Sequence, residues 1–262
     1  MQILITNDDG YTSKGLEALI KMAEGLGEIT VVAPQHPQSA MSNAVSFGKL
    51  LRMKTVQNPH NSTRNDIRHH YCSGTPTDCI KIALNILFKE RKPDFILSGI
   101  NHGFNGSTAV VYSGTLAATR EGVLNNIPSI AFSLNDHHPD ADFSASIHYG
   151  RQILEKFIES PPNSYTYVNV NFPKGSIEEI KGIRFCRFGM GSWIKEIETR
   201  RDPYGHPYYW MVGEYKNLEP NAPDCDQNLL ADNYVTVVPH KIDNTNYPEL
   251  ERMKNMWKDL TQ

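Results

Sequence analysis

Over the first two thirds of the chain, short apolar runs alternate with stretches of helical period. Residues 2–6 (QILIT) are rich in β-branched side chains and predict a strand. Over 14–25, Leu16, Leu19, Ile20 and Ala23 recur at helical spacing, and Gly25 and Gly27 stop the helix. Residues 28–33 (EITVVA) predict a second strand, halted by Pro34. A helix over 75–88 begins at Ser73 or Thr75 as cap, with Pro76 at a permitted first-turn position. Strands over 94–98 and 128–133 flank a helix of small residues over 113–124. An amphipathic helix over 143–158 then leads to a strand over 167–171.

Strand and helix in alternation at this spacing predict an α/β fold with a mostly parallel sheet and helices on both faces, a three-layer domain. Near-continuous apolar strands fit burial on both faces of that sheet. After about residue 175 the rhythm is lost. A strand over 184–188 is followed by a hairpin over 200–213, whose Asp-Pro-x-Gly turn lies between aromatic residues. A polar loop over 221–232, a strand over 234–238 and a terminal helix over 247–260 complete the chain. Residues 1–175 are thus expected to be the α/β core and 176–262 a hairpin and arm extension of the same domain. Exposed aromatic hairpins of this kind pack against a partner subunit.

Composition narrows the classes. A net charge of −3 without a run of five like charges argues against an electrostatic nucleic-acid binder. No stretch approaches 18 apolar residues, so no membrane span is expected, and residues 2–6 run straight into a charged loop, unlike a secretory leader. Cys72, Cys79, Cys186 and Cys225 form no C-x-x-C pair and read as reduced thiols, which makes the expected address cytoplasmic.

Ligands of open α/β sheets bind at the carboxyl ends of the strands. Three polar clusters fall there: Asn7-Asp8-Asp9-Gly10, the stretch 34–43 (PQHPQSAMSN), and Ser98-Gly99-Ile100-Asn101 running on through Gly103, Asn105 and Gly106. Adjacent carboxylates repel unless a cation lies between them. The neighbouring donors are all oxygens, from Ser39, Ser42, Asn43 and Asn101, and such a set selects Mg²⁺ or Mn²⁺ ahead of Ca²⁺. The plain alternative is a capped helix beside a solvated turn. Ser113-Gly114-Thr115 opens the small-residue helix, where outward N–H groups favour a phosphate; an ordinary N-cap is the competing reading. The Gly-rich dinucleotide and P-loop signatures are missing, as is the G-x-S-x-G elbow. His69-His70 and His137-His138 read as solvent-facing pairs, and His102 as a surface imidazole that could instead touch the site.

The ordered series ITNDDG (5–10), Pro34 to Ser39, SGTPTDC (73–79), SGINHGFN (98–105) and YSGTLAATREG (112–122) resembles the SurE survival-protein family. The resemblance continues through NVNFP (169–173), RDPYG (201–205) with Tyr209-Trp210, and Asp226. It implies a Rossmann-like catalytic core and a metal-dependent 5'/3'-nucleotidase hydrolysing nucleoside monophosphates, with exopolyphosphate a further substrate of some members. It implies one divalent ion, Mg²⁺ or Mn²⁺, held by Asp8, Asp9, Ser39 and Asn101. Asp8 and Asp9 are the catalytic pair through that ion, with water rather than an aspartate as nucleophile. Ser113, Gly114 and Thr115 hold phosphate, and Asn43 and Asn105 join them as substrate-binding candidates. It also implies a homodimer that exchanges the C-terminal arm, or a tetramer through the hairpin. Val238-Pro239-His240 and Cys225-Asp226 depart from the family pattern, away from the metal motifs. The rival readings are a Ca²⁺-dependent nucleoside hydrolase, lacking here its second aspartate pair, and a metal and nucleotide sensor without turnover.

Overall fold

The computed structural model describes residues 1–59 and 67–260. Six parallel strands make the centre of the molecule: β1 (Gln2–Thr6), β2 (Glu28–Pro34), β4 (Arg68–Cys72), β5 (Phe95–His102), β6 (Ser129–Leu134) and β7 (Thr166–Phe172). β3 (Met53–Val56) pairs antiparallel with β4 at one edge. At the other edge β13 (Val235–Lys241) runs antiparallel to β7, and β8 (Ile183–Phe185) runs parallel to β13. The nine strands lie in the order β3-β4-β2-β1-β5-β6-β7-β13-β8. Two strands from the extension therefore continue the core sheet, and Val235 and Val237 on β13 are buried in its core.

The side-chain alternation of β1 assigns the layers. Ile3 and Ile5 pack with α1 (Lys14–Ala23) and α4 (Ser144–Glu159) on one face. Leu4 packs with α2 (Pro76–Ile82) and α3 (Gly114–Leu124) on the other. Ser13 caps α1 by accepting the Leu16 N–H, and Thr75 and Asp78 form a reciprocal capping box on α2. The helix expected over 75–88 is shorter as an α-helix, because residues 83–87 continue it as a π-helical turn.

Several elements depart from the sequence reading. Residues 68–72 (RHHYC) are a strand, with His69 and His70 buried between β2 and β3 rather than facing solvent. Their polar composition hides the strand, and burial comes from the neighbours on either side. Residues 226–231, expected as loop, form the short helix α5 (Asp226–Ala231). The hairpin is present: β10 (Ile197–Arg201) pairs with β11 (Pro207–Met211) through a turn in which Gly205 N–H reaches Asp202 O. Beside it β9 (Gly191–Ile194) pairs with β12 (Glu214–Asn217), and α6 (Tyr247–Met256) is the last α-helix of the described residues, with no residue buried. Among the described residues no helix is long and apolar enough to cross a membrane.

The chain leaves β1 toward β2 and β4, then returns to place β5 on the opposite side of β1. This reversal opens a crevice beyond the carboxyl ends of β1 and β5, where ligands of such sheets bind. α1 closes tightly under it, because a Cβ added at Gly15 would lie 1.9 Å from the Ile100 carbonyl oxygen. Gly15→Ala should cost about 2–3 kcal/mol of stability, read as a lowered Tm; a change within experimental error would show that α1 can shift freely.

Candidate functional site

The loop after β1 is built by Asn7. Its Nδ2 donates to Gly10 O at 3.0 Å and to Ser13 Oγ at 2.7 Å, folding the chain back so that Asp8 turns inward. Gly10 has φ +100, a conformation that favours glycine. Asp8 is buried, and its Oδ1 accepts the Thr115 hydroxyl at 2.6 Å. Asp9 is half-buried, and its Oδ2 accepts the His102 N–H at 3.1 Å.

Burial, and then the neighbouring Asp9 charge, push the Asp8 carboxyl well above its ordinary range, against the hydrogen bonds from Thr115. Burial also raises Asp9, partly offset by the His102 N–H. Among the described residues neither carboxylate has an ion-pair partner, and no group of three His, Cys, Asp or Glu side chains converges on a metal position. Two desolvated carboxylates with neutral oxygens around them fit a hard divalent cation better than a thiolate or imidazole metal.

The neutral donors come from separate elements. Gln38 N–H bonds to Asp8 O at 2.7 Å, which brings the exposed Ser39 to the mouth of the crevice. Ser42 N–H bonds to Tyr112 O, and Ser42 Oγ to Val111 O, stitching that loop to the turn before α3. At the end of β5 the Asn101 Nδ2 donates to Gly103 O at 2.9 Å, which leaves its amide oxygen as the free end. Asp8, Ser39, Asn101, Asn105 and Ser113 line one cavity of about 570 Å³.

The first turn of α3 meets Asp8 directly, since a Cβ on Gly114 would lie 3.0 Å from Asp8 Oδ2. Ser113 caps this helix by accepting the Leu116 N–H, and Thr115 is buried behind it. Gly114 and Thr115 thus support Asp8 from behind, without lining the cavity. Asn43 is not brought to the site: it is exposed, and its Oδ1 accepts from Arg120 at 3.3 Å.

Several residues to which the sequence reading gave no role in the site help to build it. Asn169 and Asn171, on the same face of β7, grip the Asn105 backbone. Asn169 Nδ2 donates to Asn105 O at 2.7 Å, and Asn105 N–H donates to Asn171 Oδ1 at 2.9 Å. Asn105 Nδ2 then reaches Ser133 Oγ at 3.1 Å. Two asparagines at a spacing of two in an otherwise apolar strand were the available signal. Asp226 is fully buried and accepts from Ser107 N–H, Ser107 Oγ, Gly189 N–H and Gln227 N–H. It thereby fixes the 3-10 turn over Ser107–Tyr112 that feeds Ser113. The far wall of the cavity comes from Trp193, Glu196, Met211 and Val212, at the base of the hairpin region.

The family described as Survival protein SurE matches residues 3–195. A protein named 5'-nucleotidase SurE from Phocaeicola vulgatus is 42% identical over 253 residues, covering 97% of this chain and 95% of its own length. One of the same name from Cytophaga hutchinsonii is 40% identical over 256 residues, covering 98% and 96%. The crystal structure of Sure protein from Aquifex aeolicus superposes with a TM-score of 0.82 at 33% identity, covering 98% of this chain and 99% of that one.

A carboxylate raised by burial favours the protonated, metal-free fold. That fold should lose stability as pH rises from the ordinary carboxylate range, roughly 4, toward the raised value. Asp8→Asn should flatten this slope and raise the metal-free Tm near neutral pH, by about 1–3 kcal/mol in stability terms. Melting in EDTA across pH 5–8 reads it, and an identical slope in the variant would contradict the assignment to Asp8.

Proposed function

We infer the activity of this chain from a plain premise: it belongs to the SurE family of survival proteins. It is a hydrolase of the 5'-nucleotidase class, releasing phosphate from a nucleoside monophosphate, and it shares the divalent-metal dependence of the family's nucleotidases. The observation that supports the site assignment best is the buried Asp8 carboxylate at the sheet's switch point. It has Asp9 beside it and the start of α3 against it.

In this reading Asp8, Asp9, Ser39 Oγ and the Asn101 amide oxygen hold one cation, Mg²⁺ or Mn²⁺. Bound there, the cation would neutralise charge that builds on the phosphoryl group. Ser113, which lines the cavity, receives a phosphate oxygen, with the Gly114 N–H beside it at the start of α3. Asn105, held by β7, presents its amide at the edge of the same cavity. Thr115 fixes the Asp8 rotamer through its hydroxyl. Both aspartates are committed to the cation, so water is the nucleophile, and positioning with charge stabilisation supplies most of the rate, as is general for phosphoryl transfer.

Phosphate release from 5'- and 3'-nucleoside monophosphates with Mg²⁺, with Mn²⁺ and with EDTA tests this. Asp9→Ala should lower kcat/KM by at least about 10²-fold, and EDTA should abolish turnover. Free base in place of phosphate, or no phosphate from a folded metal-bound protein, would overturn it. Metal binding should also release protons from the raised carboxyls, so Mn²⁺ affinity should fall as pH is lowered from 8 to 6; a pH-independent affinity would argue against Asp8 and Asp9 as ligands.

Assembly into a homodimer or tetramer belongs to the same reading. It is supported by Tyr209 and Trp210, which stand exposed on β11, and by the uncovered face of α6. Replacing Trp210 with Glu should lower the mass seen by light scattering, and an unchanged mass would remove the hairpin from the interface.

A further inference from the structure

The turn that carries Ser39 is held from outside the cavity. At one end Gln38 N–H bonds to Asp8 O, and at the other Ser42 bonds to Tyr112 O and Val111 O. Between these ties the backbone is strained. Ala40 has φ +60 and Ser42 has φ +48, left-handed conformations that crowd a Cβ. Ser39, Ala40 and Met41 are all open to solvent, so burial does not fix them. Two strained residues in such a turn persist only where surrounding contacts over-determine it.

Arg120 supplies those contacts from α3. It lies six residues beyond Gly114, about 9 Å along the axis at about 1.5 Å per residue. Its Nη1 donates to Asn43 Oδ1 at 3.3 Å, next to the strained Ser42. Its Nη2 donates to Val110 O at 2.8 Å, in the 3-10 turn that leads to Ser113. Its Nε donates to the Tyr167 hydroxyl at 3.0 Å, on β7. A planar guanidinium, with its donors in a fixed fork, is suited to bridging three groups at once.

The anchor of this bridge is itself braced. Tyr167 stacks on His240 of β13, with ring centroids 5.1 Å apart and planes 12° apart, and Phe188 lies edge-on to that imidazole at 5.8 Å. Arg120 does not line the cavity. All three of its acceptors are neutral, and among the described residues it forms no ion pair. Its charge is therefore spent on holding backbone and loop in place.

We propose that Arg120 is a positioning residue for the cation site: by bridging Asn43 and Val110 O it locks the 39–42 turn to the 3-10 turn and so fixes Ser39 at the mouth of the crevice. This role rests on Ser39 being a cation ligand. The direction of the effect separates a brace from a bare charge. A positive charge near the crevice repels a cation, so on electrostatic grounds its removal would tighten cation binding. Loss of a brace lets the strained turn relax and weakens binding.

Calorimetric titration of the full-length protein with Mn²⁺, without nucleotide, tests this. Arg120→Leu should weaken Mn²⁺ binding about tenfold. Arg120→Lys should recover little, because one ammonium does not span the three acceptors. Asn43→Ala, a surface change, should weaken Mn²⁺ about threefold. In the Arg120→Leu background it should add nothing, since the two side chains act through one bond. Unchanged or tighter Mn²⁺ binding in a folded Arg120→Leu protein overturns the proposal, even with a lowered Tm, because a merely structural role would do the same. Full recovery in Arg120→Lys, or additive losses in the double variant, also overturns it. Should Arg120→Leu not fold, Asn43→Ala decides alone, and unchanged binding there overturns the proposal. Ser39→Ala separates the two levels. If it binds Mn²⁺ as the wild type does, the ligand reading of Ser39 fails and the brace with it. If it binds more weakly while folded Arg120→Leu does not, only the brace fails.

Discussion

The structure turns on a carboxylate taken out of water at the end of its first strand. Asp8 is buried next to a second acid, and the hydrogen bonds from Thr115 do not cancel the cost of its desolvation. A fold keeps such a group only when surrounding contacts over-determine its position. Here Asn7 folds the loop, Gln38 ties the next loop to the Asp8 backbone, His102 N–H fixes Asp9, and the first turn of α3 presses against the carboxylate. These contacts come from the segments that follow β1, β2 and β5, and the parallel sheet is what brings those strand ends together.

A comparison with Asp226 sharpens the point. Both aspartates are buried, but four donors converge on Asp226 and satisfy it within the protein. Asp226 therefore works as a fastener, joining the Ser107–Tyr112 turn, Gly189 and α5. Asp8 shares its surroundings with another acid and with neutral oxygens, and a cation is the group that would complete it. The same side chain, buried in both places, is satisfied within the protein in one and left short of donors in the other, according to what its neighbours can donate.

The region after residue 175 completes the site as well as extending the fold. β13 prolongs the core sheet beside β7, while the base of the hairpin region supplies Trp193, Glu196, Met211 and Val212 to the cavity wall. The aromatic strand β11 and helix α6 remain open to solvent. One segment thus carries cavity walls near the core and uncovered apolar surface at its tips.

Local pattern determined much of this protein. The β-branched runs at β1 and β2, the helical period at α1 and the Gly and Pro stops between them define a parallel α/β sheet, because each signal arises within one element. The polar clusters at strand ends, Asp8-Asp9 among them, were legible for the same reason. What the tertiary structure decided were features that exist only between elements. RHHYC becomes a strand because β2 and β3 flank it, and residues 226–231 become a helix on bonds reached through Asp226. Asn43 turns to Arg120, while Asn105 is gripped by Asn169 and Asn171 more than sixty residues away. A sequence states which donors and acceptors are present. Which of them meet depends on register and packing across the whole sheet, and the desolvation that raises Asp8 exists only once those layers have closed over it.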